Sequence, residues 1–343
     1  MRFPIGDGRR CFIVAEAGVN HNGDLERARA LIDAAAEAGA DAIKFQTFTA
    51  AATTTAAAPK AAYQMHHGSA GETQQAMLER LELDEQAHRD LAAHAKACHI
   101  AFLSSPFDGR SAAMLVDMGV ELLKIGSGEV TNLPLLRRVG QLHIPVVLST
   151  GMCHLGDIEA ALATLRHGGC EAIVLLHCVS CYPADAAEAN LRAMDTLRCA
   201  FQLPIGYADH TPGTAVALAA CARGACLIEK HLTLDRTLPG PDHRASIEPD
   251  TFAAMVRDVR LIESALGDGI KRPMPGEQDL RVTARRSLVT TRALEAGHLI
   301  GADDLDCLRP GAGVEPALMP QVIGRRVRHD LPAGHTLDWG DLS

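Results

Sequence analysis

Short apolar runs alternating with helix-like segments constrain this chain more tightly than any other feature. Eight runs of strand length fall in its first ~270 residues, at 11–15, 42–45, 100–103, 122–125, 145–148, 172–177, 204–207 and 226–232. Segments with helical periodicity separate them, among them 25–38, 85–98, 111–118, 133–140 and 158–168. Eight strand–helix units in this length are the count of a parallel (β/α)8, or TIM, barrel of the α/β class. A doubly wound open sheet competes with it. The G-x-G-x-x-G turn that often follows the first strand of such a sheet is absent here.

The last two runs carry the most chemistry. Pro204-Ile205-Gly206-Tyr207-Ala208-Asp209-His210 and Ala225-Cys226-Leu227-Ile228-Glu229-Lys230-His231 both stop at a histidine, with an alanine-rich helical segment between them. The C-terminal ends of barrel strands share one face, and active sites form there. Adjacent strands lie roughly 5 Å apart, so His210 and His231 can meet at one divalent ion.

Composition sets the outer bounds. Hydrophobic residues make up 47% of the 343 and aromatic residues only 3%, so Ala, Leu, Val and Ile must fill the core. A formal charge of −9 argues against a nucleic-acid partner but not against an anionic substrate in a locally basic pocket. No stretch approaches the ~18 consecutive apolar residues of a membrane span. The apolar start at 11–19 is short and broken by Glu16, unlike a signal peptide. A cytoplasmic protein with no membrane partner is expected. In that setting the ten cysteines read as mostly buried free thiols, and Cys178-Val-Ser-Cys181 as a coincidental CxxC lacking a second pair.

The second and third runs are separated by more than fifty residues. The excess, 47–75, would lie on the catalytic face as a lid, a substrate loop or a plain surface excursion. Prolines and a glycine at 271–276 mark a linker. The expected organisation is a barrel over 1–272, a linker over 273–284 and a small, mostly β domain over 285–343 that needs a docking surface.

Read by strand end, the polar residues converge: Glu16; Lys44 and Gln46; Ser104 and Ser105; Lys124, Ser127 and Glu129; Ser149; His177 to Tyr182; Asp209 and His210; His231, then Asp242. Two lysines with serines and glycine-rich turns suit a phosphate. Two imidazoles suit Mn²⁺, Zn²⁺ or Fe²⁺, and the carboxylates offer acid–base groups. Singly, a lysine also reads as a snorkelling side chain and a histidine as a backbone cap; their coincidence at strand ends favours an active site.

Longer motifs carry a family resemblance. FIVAEAGVNHNGDLERARALIDAAAEAGADAIKFQTF, FLSSPFD, LKIGSGEVTNLPLL, PVVLSTGM, GYADHTPG, EKHLTLDRTLPGPDH, ARRSLV and LRPGAG together resemble the sialic acid synthases, which include N-acetylneuraminate, legionaminate and pseudaminate enzymes. The resemblance implies a TIM barrel followed by an antifreeze-like SAF domain. It implies condensation of phosphoenolpyruvate with an N-acylated mannosamine-type sugar, with phosphate leaving by C–O cleavage. N-acetylmannosamine is the first expectation for the acceptor; 2,4-diacetamido-2,4,6-trideoxymannose, giving N,N'-diacetyllegionaminate, is the alternative.

By the same resemblance His210 and His231 hold Mn²⁺ or Mg²⁺, while Lys44, Lys124, Ser127 and Ser149 hold phosphoenolpyruvate. Glu16 and Glu129 are catalytic carboxylates, with Glu129 favoured as the base for its place beside Ser127. Gln46, Tyr182 and Asp242 face the sugar. Arg309 serves from the appended domain, which covers a partner subunit's barrel in a swapped homodimer. Ser180 stands where some sialate synthases carry a sugar-contacting asparagine, and residues 63–83 look closer to the legionaminate branch. Three other functions compete: a Schiff-base aldolase using Lys124 or Lys44, a metal-dependent hydrolase, and a non-catalytic sugar- or ice-binding protein.

Overall fold

Alternation of inward and outward side chains along eight short strands builds the molecule. The computed structural model describes residues 5, 6, 8–61, 64 and 72–343. Met1–Gly267 and Asp268–Ser343 form two compact units. In the first, β1 (Phe12–Gly18), β2 (Ala42–Thr47), β3 (Ala101–Pro106), β4 (Leu123–Ile125), β5 (Val146–Ser149), β6 (Ile173–Cys178), β7 (Ile205–Asp209) and β8 (Leu227–His231) close a parallel barrel in chain order. All eight apolar runs became strands.

Helices surround the barrel: α1 (Leu25–Glu37), α2 (Ala50–Thr53), α3 (Gln74–Glu79), α4 (Glu85–Ala97), α5 (Gly109–Asp117), α6 (Leu133–Gly140), α7 (Leu155–Gly168), α8 (Ala193–Phe201), α9 (Ala215–Ala222) and α10 (Pro249–Leu266). Several start where a short polar side chain satisfies the first free N–H groups. Asp24 caps α1, Asp84 caps α4, Asp108 caps α5 and Asn132 caps α6. Such a cap stabilises a helix by about 1 kcal/mol.

Two residues per repeat sort each strand. One set of side chains, including Ile13, Ile43, Ile125, Leu148, Leu175 and Ile228, joins the main core, which also holds Leu31, Leu136 and Leu165 of the helices. The other fills the barrel with Val14, Ala42, Leu103, Val147, Val174, Leu176, Ala208 and Leu227. Stepping two residues toward the C-terminal end of the strands carries the interior from Val14 to Glu16, Ala42 to Lys44, Leu103 to Ser105, Val147 to Ser149 and Leu227 to Glu229. The apolar plug therefore ends at a charged floor. This change of chemistry within one layer locates the site.

Part of the extended 47–75 segment is described. Phe48, Met77 and Leu81 bury against Val19, and Leu78 and Phe107 pack on them. Residues 62, 63 and 65–71 lie outside the described set, so the lid reading and the 63–83 comparison apply there only in part.

The second unit adds α11 (Gln278–Ala284), where a linker was expected, then β9 (Ser287–Thr290) and β10 (Leu305–Leu308) in an antiparallel pair. Leu288, Ile300, Val314, Val322 and Leu337 form its core. It has less strand than its alternating sequence predicts. The run at 322–327 begins as the end of a helical turn, α12 (Met319–Val322), with Pro320 in its first turn.

Candidate active site

Register brings the charged groups together. Glu16 pairs in register with Lys44 on one side and His231 on the other. Lys44 makes an ion pair with Glu16 and donates to Ser105 Oγ at 3.0 Å. Lys124 Nζ lies 3.0 Å from Glu229 Oε1, and Lys44 Nζ lies 3.9 Å from the same oxygen. Two lysines and two glutamates, all buried, thus share one floor.

The environment sorts their protons. Burial raises Glu16 to about 7, with Lys44 opposing the rise and Glu229 adding to it. For Glu229, burial also works against the charge, but Lys124 and Lys44 outweigh it and hold the carboxyl below its usual range. Burial likewise opposes the Lys124 ammonium, and Glu229 and Glu16 overcome it, so its pKa is raised. Burial pushes Asp242 up to about 6 despite Lys44.

These groups line a cavity of about 420 Å³. Of the twelve expected site residues, ten line it: Glu16, Lys44, Gln46, Lys124, Ser127, Ser149, Tyr182, His210, His231 and Asp242. Glu129 is not among the lining residues. It sits in the 3-10 turn after β4, where its Oε2 accepts from Asn132 Nδ2 at 2.7 Å and braces the start of α6. Arg309 belongs to the second unit, where its Nε donates to Ala284 O at 3.0 Å.

Backbone geometry keeps the cavity open at two glycines. Gly18 has φ +49°, and a Cβ there would lie 2.9 Å from Glu16 Oε1, 3.4 Å from Gln46 Nε2 and 3.5 Å from Asp242 Oδ2. At Gly151 a Cβ would meet Ser180 Oγ at 2.3 Å and both Cys178 Sγ and Ser127 Oγ at 3.0 Å. The Gly151 N–H donates to Ser127 Oγ at 2.8 Å, which fixes that hydroxyl. Ser149 Oγ is buried without a hydrogen-bond partner, a donor held ready for a ligand.

The histidines suit a divalent ion. Their ring centroids are 5.4 Å apart, and the Tyr182 ring packs tilted at 39° against His210, 4.3 Å between centroids. His210 Nδ1 donates to Val179 O at 2.6 Å, which leaves the Nε2 lone pair free. His231 Nδ1 is buried without a hydrogen-bond partner, 3.8 Å from Asp242 Oδ2. Burial lowers both imidazole pKa values, that of His231 strongly, and neutral rings are the ligating form.

Sequence reasoning left out Glu229 and Gly18 as site groups. Glu229 precedes His231 by two residues, so the same alternation that turns His231 inward identifies it. Asp209, counted among the polar strand ends, is absent from the lining. It follows Ala208, an interior residue, so the alternation turns it outward. There it bonds Lys230 Nζ at 2.8 Å and Thr211, and both members of the ion pair have no exposed surface. The ten cysteines are free thiols, with Cys178 buried beside Ser127 and Cys181 exposed.

Fold and cavity define a class: a (β/α)8-barrel enzyme with its chemistry at the C-terminal strand ends. Residues 31–271 match the NeuB family and residues 285–343 match the SAF domain. The chain belongs to the NeuB family, and it is a transferase. It is 45% identical to N,N'-diacetyllegionaminic acid synthase of Legionella pneumophila over 98% of this chain and 96% of that protein. It is 33% identical to human N-acetylneuraminate-9-phosphate synthase, over 94% of this chain and 90% of that one. Its fold is similar to a crystal structure of N-acetylneuraminic acid (sialic acid) synthetase from Leptospira borgpetersenii in complex with citrate. That match has TM-score 0.71 and 37% identity, over 80% of this chain and 92% of that chain.

Proposed function

We infer that this enzyme condenses phosphoenolpyruvate with 2,4-diacetamido-2,4,6-trideoxymannose and water, giving N,N'-diacetyllegionaminate and phosphate. One observation carries the synthase chemistry: the Lys44–Lys124–Glu16–Glu229 floor lies beside two neutral histidines in one cavity.

Lys124 and Lys44 meet the two anionic ends of phosphoenolpyruvate, aided by Ser127 and the unpartnered Ser149 hydroxyl. A divalent ion on His210 and His231, Mn²⁺ or Mg²⁺ in this reading, would polarise the sugar aldehyde when bound. Carbon–carbon bond formation leaves positive charge at C2 of the enolpyruvate. Glu16, lining the cavity with its pKa near neutrality, stabilises that charge and takes a proton from the water that adds there. The C–O bond then breaks, and phosphate leaves between the lysines. Glu129, expected to be the base, points instead to Asn132, so this reading gives the proton transfer to Glu16.

The acceptor expectation changes order. N-acetylmannosamine came first on sequence, but a 45%-identical relative over nearly the whole chain is a diacetyllegionaminic acid synthase. The cavity supports that choice. Val19, Met77, Leu78, Leu81, Phe107 and Met152 give its wall an apolar character. Among the described residues no arginine lines it, and this reading gives both of its lysines to phosphoenolpyruvate. Such a wall suits a deoxy methyl and a second acetamido group and provides nothing for a sugar phosphate. Comparing kcat/KM for the diacetamido sugar, N-acetylmannosamine and its 6-phosphate tests this. The first should exceed the others by about tenfold or more, since one buried methyl is worth about 1–3 kcal/mol; preference for the phosphorylated sugar would refute it.

We further assign the SAF unit, with Arg309, to cover the cavity of a partner subunit in a homodimer, a reading supported by the family resemblance. Met152 at the cavity, 74% exposed in the single chain, offers apolar surface to such a cover. Light scattering that finds a monomer at assay concentration would remove this part.

A further inference from the structure

Outside the barrel, α1 and α4 carry a second cluster of metal-ligating atoms that the reaction does not use. His94 and Cys98 are one helical turn apart at the end of α4, so both side chains share one face. Asp33 of α1 faces them. Its Oδ1 lies 2.7 Å from His94 Nε2 and 3.3 Å from Cys98 Sγ, and the sulfur lies 3.8 Å from the same ring nitrogen.

Tetrahedral zinc geometry supplies a check. Metal–ligand lengths of about 2.0–2.1 Å for N and O and 2.3 Å for S require ligand–ligand edges of roughly 3.3 Å between N and O and 3.5 Å to S. The observed edges bracket these values, and opening the His94–Asp33 edge by about half an ångström completes one face of the tetrahedron. Half-exposed Asp33 and one-third-exposed His94 leave the fourth position open to water. We propose that Asp33, His94 and Cys98 bind a borderline-soft divalent cation, Zn²⁺, which clasps α1 to α4 behind the strands carrying Glu16 and Ser105. Thiolate and imidazole together select Zn²⁺ over Mg²⁺, so this site and the barrel site take different ions.

Cobalt is the probe because it replaces zinc and reports a sulfur ligand by its thiolate-to-metal charge-transfer absorption. Chelator-treated full-length protein is titrated with Co²⁺ and then with Zn²⁺, alongside Cys98→Ser and His94→Gln. Wild type should develop the charge-transfer band and lose it to Zn²⁺. Cys98→Ser should lack the band, and His94→Gln should need about 10–100-fold more Co²⁺ to develop it. Melting curves of the metal-free variants check the fold, and the partly exposed His94 gives a second test if Cys98→Ser is unstable. No band in wild type would overturn the site and leave only a hydrogen-bonded tie between helices. A band that survives in Cys98→Ser would place the sulfur elsewhere and overturn it equally.

Discussion

Glu229→Gln is the most telling perturbation of the cavity floor. The substitution keeps the side-chain shape but removes the carboxylate that the floor holds ionised opposite two buried ammonium groups. At an effective dielectric of about 20, the 3.0 Å Lys124–Glu229 contact corresponds to about 5 kcal/mol of attraction. Removing one partner of a buried pair typically costs about 3–5 kcal/mol, because the other charge is left without compensation. At about 2 °C per kcal/mol for a domain of this size, the melting temperature should fall by roughly 6–10 °C. Inorganic phosphate should restore more stability to the variant than to wild type, since the anion supplies the missing charge. The double variant Glu229→Gln/Lys124→Met should melt nearer wild type than the single one. Thermal unfolding with and without phosphate measures all three quantities. If Glu229→Gln melts within about 2 °C of wild type, or phosphate stabilises both equally, the coupled floor is wrong.

Other expectations follow from the same geometry. Gly18→Ala should cost about 1–3 kcal/mol from its φ of +49° and displace Glu16, lowering kcat by up to about 100-fold; unchanged kinetics would show that Glu16 tolerates the shift. Asp209→Asn and Lys230→Met should each destabilise by about 3–5 kcal/mol, and the double variant Asp209→Asn/Lys230→Met should lose clearly less than their sum, as denaturant melts can test; additive losses would mean that packing, not charge, matters there. In metal-free protein the raised Glu16 pKa means that the native state binds more protons than the unfolded chain between about pH 4.5 and 7. Glu16 therefore favours folding less as pH rises through that window, while the lowered His210 and His231 act in the opposite sense below about pH 6.5. Asp242, raised to about 6, adds a slope of the same sign below that pH, so Glu16→Gln should flatten a pH series of urea melts most between about pH 6 and 7; an unaltered slope there would deny Glu16 a raised pKa.

The barrel was legible because its strands are buried on both faces and appear as apolar runs between amphipathic helices. Their C-terminal ends were legible too, since Lys44, Lys124, His210 and His231 interrupt apolar runs where charge has little reason to be. Two features needed coordinates. Glu129 follows Ser127 closely in sequence, yet the tight turn after β4 aims it at Asn132. Asp209 and His210 are adjacent, and strand alternation sends them to opposite sides. The small unit misled through its own alternation, because much of it folds as turns and isolated bridges rather than a continuous sheet.

The most direct test follows oxygen. Metal-depleted enzyme restored with Mn²⁺ is given 2,4-diacetamido-2,4,6-trideoxymannose and phosphoenolpyruvate labelled with ¹⁸O at the bridging position, and the products are read by mass spectrometry. Cleavage of the C–O bond predicts that the label leaves in the phosphate, and only when both sugar and metal are present. Unlabelled phosphate, or release without the sugar, would contradict the synthase mechanism drawn from the floor of lysines and glutamates.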